Sequence, residues 1–136
     1  MLENKYNISV WQGSTFGITI SIQHANSAPK DITGQSARMQ IRSSYDTSLI
    51  TETLTTANGE ITITNAANGT LHIELSAERT AAIPVDLGNL TTVKLQSGGT
   101  AKIPRQNYVY DLELINNTTV TKIMYGDVSV YGEVTR

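Results

Sequence analysis

The most constraining feature of this chain is the run Tyr108-Val109-Tyr110-Asp111-Leu112-Glu113-Leu114-Ile115. Tyr108, Tyr110, Leu112 and Leu114 alternate with Val109, Asp111, Glu113 and Ile115. That period of two belongs to a strand with one buried face. Asn116-Asn117 follows, and asparagine tolerates the left-handed backbone that tight hairpin turns require. A second strand is expected from about Thr118 to Tyr125, ended by Gly126. Alternation resumes over Asp127 to Tyr131, with Val128 and Val130 on one face, ahead of a charged Glu133-Val134-Thr135-Arg136. The segment reads as a β-hairpin plus a closing strand, with no room for a catalytic loop.

The same signature recurs upstream. Ile8 and Val10 begin an alternation that Trp11 interrupts. Phe16, Ile18, Ile20 and Ile22 share a face, opposite Gly17, Thr19 and Ser21. Residues 26–31 form a turn by residue type. Ala37, Met39 and Ile41 mark another strand, Ser43 to Ser48 a loop, and Leu49 to Leu54 a short strand. Asn58-Gly59 and Asn68-Gly69 are turn dipeptides. Ile61 and Ile63 lie between them, and Leu71, Ile73 and Leu75 follow, with Thr62, Thr70, His72 and Glu74 facing solvent. Ser76 can N-cap one helical turn over Ala77 to Ala82, stopped by Pro84. Its capping box is incomplete, because Arg79 stands where Glu or Gln would close it.

About eight short strands at this spacing predict an all-β fold, an antiparallel immunoglobulin-like β-sandwich with one short helical turn. A small closed barrel is the alternative. The expected core is Phe16, Ile18, Ile20, Met39, Ile41, Ile61, Ile63, Leu71, Ile73, Tyr110, Leu112, Leu114 and Val128, with Trp11 plugging one end ahead of the alternative that it is an interface anchor. At 136 residues one domain, 1–136, is expected. It carries a hairpin or loop insertion at about 85–105.

Composition narrows the function classes. There is no cysteine, so disulfides and thiolate metal sites are excluded. The net charge of −2 supplies no basic field for nucleic acid or an anionic membrane. No apolar run approaches the roughly 20 residues that span a bilayer. The first residues lack the basic flank and apolar stretch of a signal peptide, so synthesis in a cytoplasm is expected. Only 16% of residues are charged. Threonine, at about one residue in seven, makes up much of the difference and suits half-exposed strands.

The reactive side chains do not converge on a site. His24 and His72 are the two imidazoles, and no third ligand stands at useful spacing for a metal. Asp111 and Glu113 could act as paired carboxylates, but a solvated sheet face accounts for them more simply. Ser97-Gly98-Gly99-Thr100 lacks the lysine of a phosphate-binding loop. Lys94, Lys102 and Arg105 are too sparse for nucleic acid. The expectation is a non-enzymatic chain without cofactor or metal.

Several segments, in order and over nearly the whole chain, resemble a group of small virion proteins of tailed bacteriophages. They are Trp11-Gln12-Gly13-Ser14-Thr15-Phe16, Asp31-Ile32-Thr33-Gly34 with Ala37-Arg38-Met39-Gln40-Ile41-Arg42, and Gly59-Glu60-Ile61-Thr62-Ile63. Further on come Gly69-Thr70-Leu71-His72-Ile73-Glu74-Leu75, Tyr108-Val109-Tyr110-Asp111-Leu112-Glu113-Leu114, and Gly126-Asp127-Val128-Ser129-Val130 with Glu133-Val134-Thr135-Arg136. More loosely, the chain is similar to the immunoglobulin-like N-terminal domain of baseplate upper proteins. The resemblance implies a structural role in the virion, in the tail, baseplate or fibre-attachment region. It implies other virion proteins as partners, a homo-oligomer or symmetric ring, and neither nucleic acid nor membrane.

Val85 to Arg105 departs from the family pattern and is the expected partner contact. Its candidate interface residues are Leu87, Leu90, Val93, Lys94, Leu95, Lys102, Ile103 and Arg105. Two rival readings stay open. A capsid decoration protein would share the fold and the lack of catalysis. A carbohydrate-binding, host-recognition module would also be a sandwich, but presents several aromatics on one face. One Trp and six Tyr are present here.

Overall fold

The computed structural model describes residues 4–133. Nine strands form two sheets. They are β1 (Ile8–Trp11), β2 (Phe16–Ser21), β3 (Ser36–Arg42), β4 (Glu52–Thr55) and β5 (Ile61–Asn65), then β6 (Thr70–Leu75), β7 (Leu90–Lys94), β8 (Thr100–Asn116) and β9 (Thr119–Tyr131). The larger sheet runs β1-β9-β8-β3-β4, with β7 added on β8, and the smaller runs β2-β6-β5. All pairings are antiparallel except β1 on β9. The fold is an all-β sandwich.

The alternation read from the sequence sets the core. Tyr108, Tyr110, Leu112 and Leu114 of β8 are buried, as are Ala37, Met39 and Ile41 opposite them on β3. Val128 and Val130 of β9 and Ile8 and Val10 of β1 extend this inner face. Ile61, Leu71, Ile73 and Leu75 cover it from the smaller sheet, while Phe16, Ile18, Ile20 and Ile63 are half-buried against it. Ile32 and Ile83, which lie outside the strands, join the core at 0% and 1% exposure.

Three sequence expectations are corrected. Trp11 does not plug the core: it is 48% exposed and stacks on Tyr131 with ring centroids 4.6 Å apart. The reason is parity, since Ile8 and Val10 point inward and Trp11 must point outward. Gly126 does not end a strand, because β9 passes through it unbroken. The glycine permits close approach instead: a Cβ there would lie 2.3 Å from the Tyr6 carbonyl oxygen. That carbonyl accepts from the Tyr110 hydroxyl at 2.5 Å, and the Tyr6 N–H donates to the Tyr125 carbonyl at 2.8 Å. The strand expected from Leu49 begins only at Glu52, leaving Leu49 and Ile50 exposed. The charged ending beyond Glu133 lies outside the described residues.

The turns follow the residue chemistry. Asn117, at φ 56°, carries the left-handed backbone of the β8–β9 turn. Asn68-Gly69 closes a short 3₁₀ helix, Ala66–Asn68, whose C-cap Gly69 has φ 70°. The register of β9 slips between the Leu112–Met124 and Glu113–Lys122 pairs, a bulge that accommodates Ile123 and adds local twist. Helix α1 (Ala77–Ala81) starts where expected, with the Ser76 hydroxyl accepting from the Arg79 N–H at 3.3 Å.

Two stability predictions follow from this packing. Leu112→Ala, at a site with 0% exposure, should cost about 2–5 kcal/mol by opening a cavity. Glu113→Ala, on the outer face beside Arg38, should cost only about 0.2–1 kcal/mol. Equal costs in urea unfolding would contradict the register. Gly126→Ala should cost about 1–3 kcal/mol through overpacking against the Tyr6 carbonyl. It should also speed amide exchange at Tyr6, whereas unchanged exchange and stability would refute the close approach.

Candidate interaction surface

The side chains with reactive potential are dispersed over the fold. His24 is exposed in the connection after β2. His72 faces outward on β6, with Nδ1 3.0 Å from the Thr19 hydroxyl and Nε2 3.4 Å from Glu74 Oε1. Asp111 and Glu113 lie on the outer face of the larger sheet. Asp111 pairs with Lys122 at 2.9 Å and Glu113 with Arg38 at 2.7 Å. The hydrogen bond it donates to Asp111 holds the Lys122 ammonium above the usual lysine range. Burial pushes the Tyr110 phenol well above its ordinary value. Among the described residues no group of three or more His, Asp or Glu is placed to hold a metal ion. No helix among them is long and apolar enough to cross a membrane.

The segment from Val85 to Arg105 forms a ribbon. Its first strand is β7, and its second is the beginning of β8: Leu90 pairs with Pro104, Thr92 with Lys102, and Lys94 with Thr100. β8 therefore outruns the sandwich. Its residues from Arg105 onward pair with β9, and only those from Thr100 to Pro104 pair with β7. The tip closes on Gly98 and Gly99, both at positive φ (98° and 82°), with the Leu95 N–H donating to the Gly99 carbonyl at 3.1 Å.

At the base, the Arg105 N–H donates to the Asn89 carbonyl and the Asn89 side-chain amide donates to the Arg105 carbonyl, both at 2.8 Å. Asp86 Oδ1 caps the entry by accepting from the Gly88 N–H at 2.9 Å.

The eight candidate interface residues all lie on this ribbon or its approach, but not on one face. Along β8, Ile103 and Arg105 share the parity of the outward residues Val109, Asp111 and Glu113. Val93 joins them, since it pairs with Ala101. Leu90, Lys94 and Lys102 take the opposite parity, and Leu87 and Leu95 flank β7 outside the strand. The cluster of positive charge read from the sequence is thus split between two faces. Among the described residues Lys94, Lys102 and Arg105 make no ion pair. Leu87, Leu90 and Leu95 are 61%, 54% and 45% exposed.

Sequence reasoning offered Trp11 as an interface anchor only as the alternative to a core plug, and did not include Tyr131 in this surface. The register places Trp11 beside Tyr131 and Tyr131 beside Arg105, so a Trp-Tyr-Arg row borders the outward face of the ribbon. The parity of Ile8 and Val10 was the available signal for Trp11. The pairing with Tyr131 had none, because parallel contacts across some 120 residues leave no local trace. A second feature is a groove of about 950 Å³ between the edge of β2 and the start of β9, lined by Ile18, Ile20, Ile22, Ile123 and Met124.

The chain matches no known protein-family model, and a search of curated proteins finds no match.

Proposed function

We propose that this chain is a non-enzymatic structural protein of a tailed-bacteriophage virion, an assembly or adaptor component of the tail, baseplate or fibre-attachment region. The observation that carries the reading is the ribbon. It projects past the sandwich, exposes Leu87, Leu90 and Leu95, and holds three cations without ion-pair partners among the described residues. A two-stranded hairpin with uncovered faces is marginally stable alone. Contact with a neighbouring virion protein supplies the missing cover, and Lys94, Lys102 and Arg105 set its register against acidic groups. Such contacts weaken as salt screens them. The bordering Trp11, Tyr131 and Arg105 are of the residue types that dominate binding hot spots. The resemblance of the sequence to small virion proteins supports the same reading and an immunoglobulin-like topology.

The exposed Trp11–Tyr131 stack keeps one other reading in view, a carbohydrate-binding module, which glycan-array binding lost in Trp11→Ala would support. Capsid decoration would differ from a tail role in the symmetry of the position that labelled protein occupies in the particle.

The ribbon reading is tested by replacing Leu90–Pro104 with a short Gly-Ser turn. Asn89 and Arg105 are already hydrogen-bonded at 2.8 Å, so the shortened hairpin can close without strain on β8. The expected product folds with nearly unchanged thermal stability and fails to join the particle. Normal incorporation would overturn the proposal. In the same system, joint Ala substitution of His24, His72, Asp111 and Glu113 should leave assembly intact. A hydrolase activity abolished by those four changes would show that the protein is an enzyme.

A further inference from the structure

The free edge of β7 is suited to one particular partner. The Arg105 N–H bonds the Asn89 carbonyl and the Leu95 N–H bonds the Gly99 carbonyl, so odd-numbered residues of this strand turn their backbone groups toward β8. By alternation, the N–H and C=O groups of Leu90, Thr92 and Lys94 point away from it. β7 pairs with β8 alone. Natural edge strands are commonly blunted by proline, a bulge, brevity or inward charges. β1 and β4 are four residues each, and β5 is bulged between Ile63 and Asn65, while β2 is a regular six-residue edge of the smaller sheet with Gly17 in it. β7 reads Leu-Thr-Thr-Val-Lys, regular and rich in β-branched residues, with its single charge at the last position.

We propose that β7 pairs antiparallel with β7 of a second copy of this chain, about a two-fold axis through Thr92. A continuous four-stranded sheet, β8-β7-β7-β8, would result. This rests on the reading of the chain as an assembly component, and it names the partner.

The sequence of the strand is self-complementary in this register. Thr92 faces the partner's Thr92, and Leu90 faces the partner's Lys94, whose aliphatic stem covers it. No like charges are directly opposed. The two Lys94 residues stand four residues apart along the strands, roughly 14 Å. The two Lys102 residues stand three strand spacings apart, again roughly 14 Å. Both separations exceed the Debye length of about 8 Å at physiological salt.

Charge favours the antiparallel sense over the parallel one. Lys94 ends the strand, and parallel pairing would set Lys94 beside Lys94.

On the outward face, Ala101, Val93, the partner's Thr91 and the partner's Ile103 would form one row, repeated by symmetry. Four strands would then share an apolar face, where the single ribbon has two strands. An isologous pairing of this kind closes at two copies.

The test uses the full chain, which has no cysteine of its own. Thr92 would form a hydrogen-bonded antiparallel pair with Cα atoms about 5.5 Å apart, inside the range of about 4.4–6.8 Å that a disulfide spans. Thr92→Cys should therefore cross-link to a covalent dimer under mild oxidation, at least about tenfold more than Lys94→Cys, whose sulfurs would lie too far apart. Equal cross-linking of the two, or none at Thr92→Cys, would overturn the proposal.

By sedimentation, the unmodified chain should be dimeric. Thr92→Pro, which removes an N–H aimed at the partner and not at β8, should be monomeric, with a cooperative melt retained and a midpoint that no longer depends on protein concentration. A monomeric wild-type chain that still joins particles would overturn the self-pairing and leave the assembly reading standing. A dimer that is excluded from particles would support the pairing and sink that reading.

Discussion

The structure depends on the hairpin of β8 and β9. β8 contributes the inward row Tyr108, Tyr110, Leu112 and Leu114, and its two flanks hold β9 on one side and β3 and β7 on the other. Every inward residue of that row is at most 5% exposed. Burial of such side chains is worth roughly 1.5–3 kcal/mol each before opposing terms. Register is therefore pinned: a slip of one residue would send all four outward and bring Asp111 and Glu113 into the core. The larger sheet is assembled around that constraint, and the smaller sheet covers what it presents.

Polar contacts close the ends of the sandwich. Thr80, the one buried polar residue among those described, has its hydroxyl donating to the Ser14 carbonyl at 2.8 Å and accepting from the Gly13 N–H at 3.1 Å. It ties α1 to the β1–β2 turn. The Tyr108 hydroxyl donates to the Pro84 carbonyl at 2.6 Å and anchors the approach to the ribbon. Arg79 pairs with both Glu52, at the start of β4, and Glu60, just before β5. One guanidinium thus links the two sheets through the helix. One Glu60 oxygen is buried without a partner, so this clamp gives up part of its gain to desolvation. Its value lies as much in specifying the arrangement as in stability.

These joints leave the ribbon as the part of the fold with least internal support. It is held at its base by Asn89 and Arg105 and at its tip by two left-handed glycines, but no second layer covers it. The exposed apolar side chains on this element, and its cations without ion-pair partners among the described residues, are what the proposed assembly role rests on. The groove beside β2 is also apolar, but the chain around it offers no comparable pattern of charge and register.

Much of this architecture was legible in the sequence. The alternation from Tyr108 to Leu114 fixed which side chains face inward, because strand parity is a local property of the backbone. Asn117, Gly59 and Gly69 marked turns because few residues accept positive φ. Ser76 marked the start of α1 because its hydroxyl satisfies a free helical N–H. The absence of cysteine and the scatter of histidines bounded the chemistry.

Only the tertiary structure decided the rest. Glycine reads locally as a strand breaker, and the passage of the Tyr6 carbonyl over Gly126 turned it into a requirement of a continuous strand. The parallel pairing of β1 with β9 put Trp11 beside Tyr131 and Arg105. The pairing of β7 with the start of β8 divided the candidate interface residues between two faces, leaving Leu87, Leu90, Lys94, Leu95 and Lys102 exposed and Val93, Ile103 and Arg105 half-buried. These outcomes depend on which distant segments meet and how far each layer extends, and local periodicity records the face of a residue without recording what covers that face.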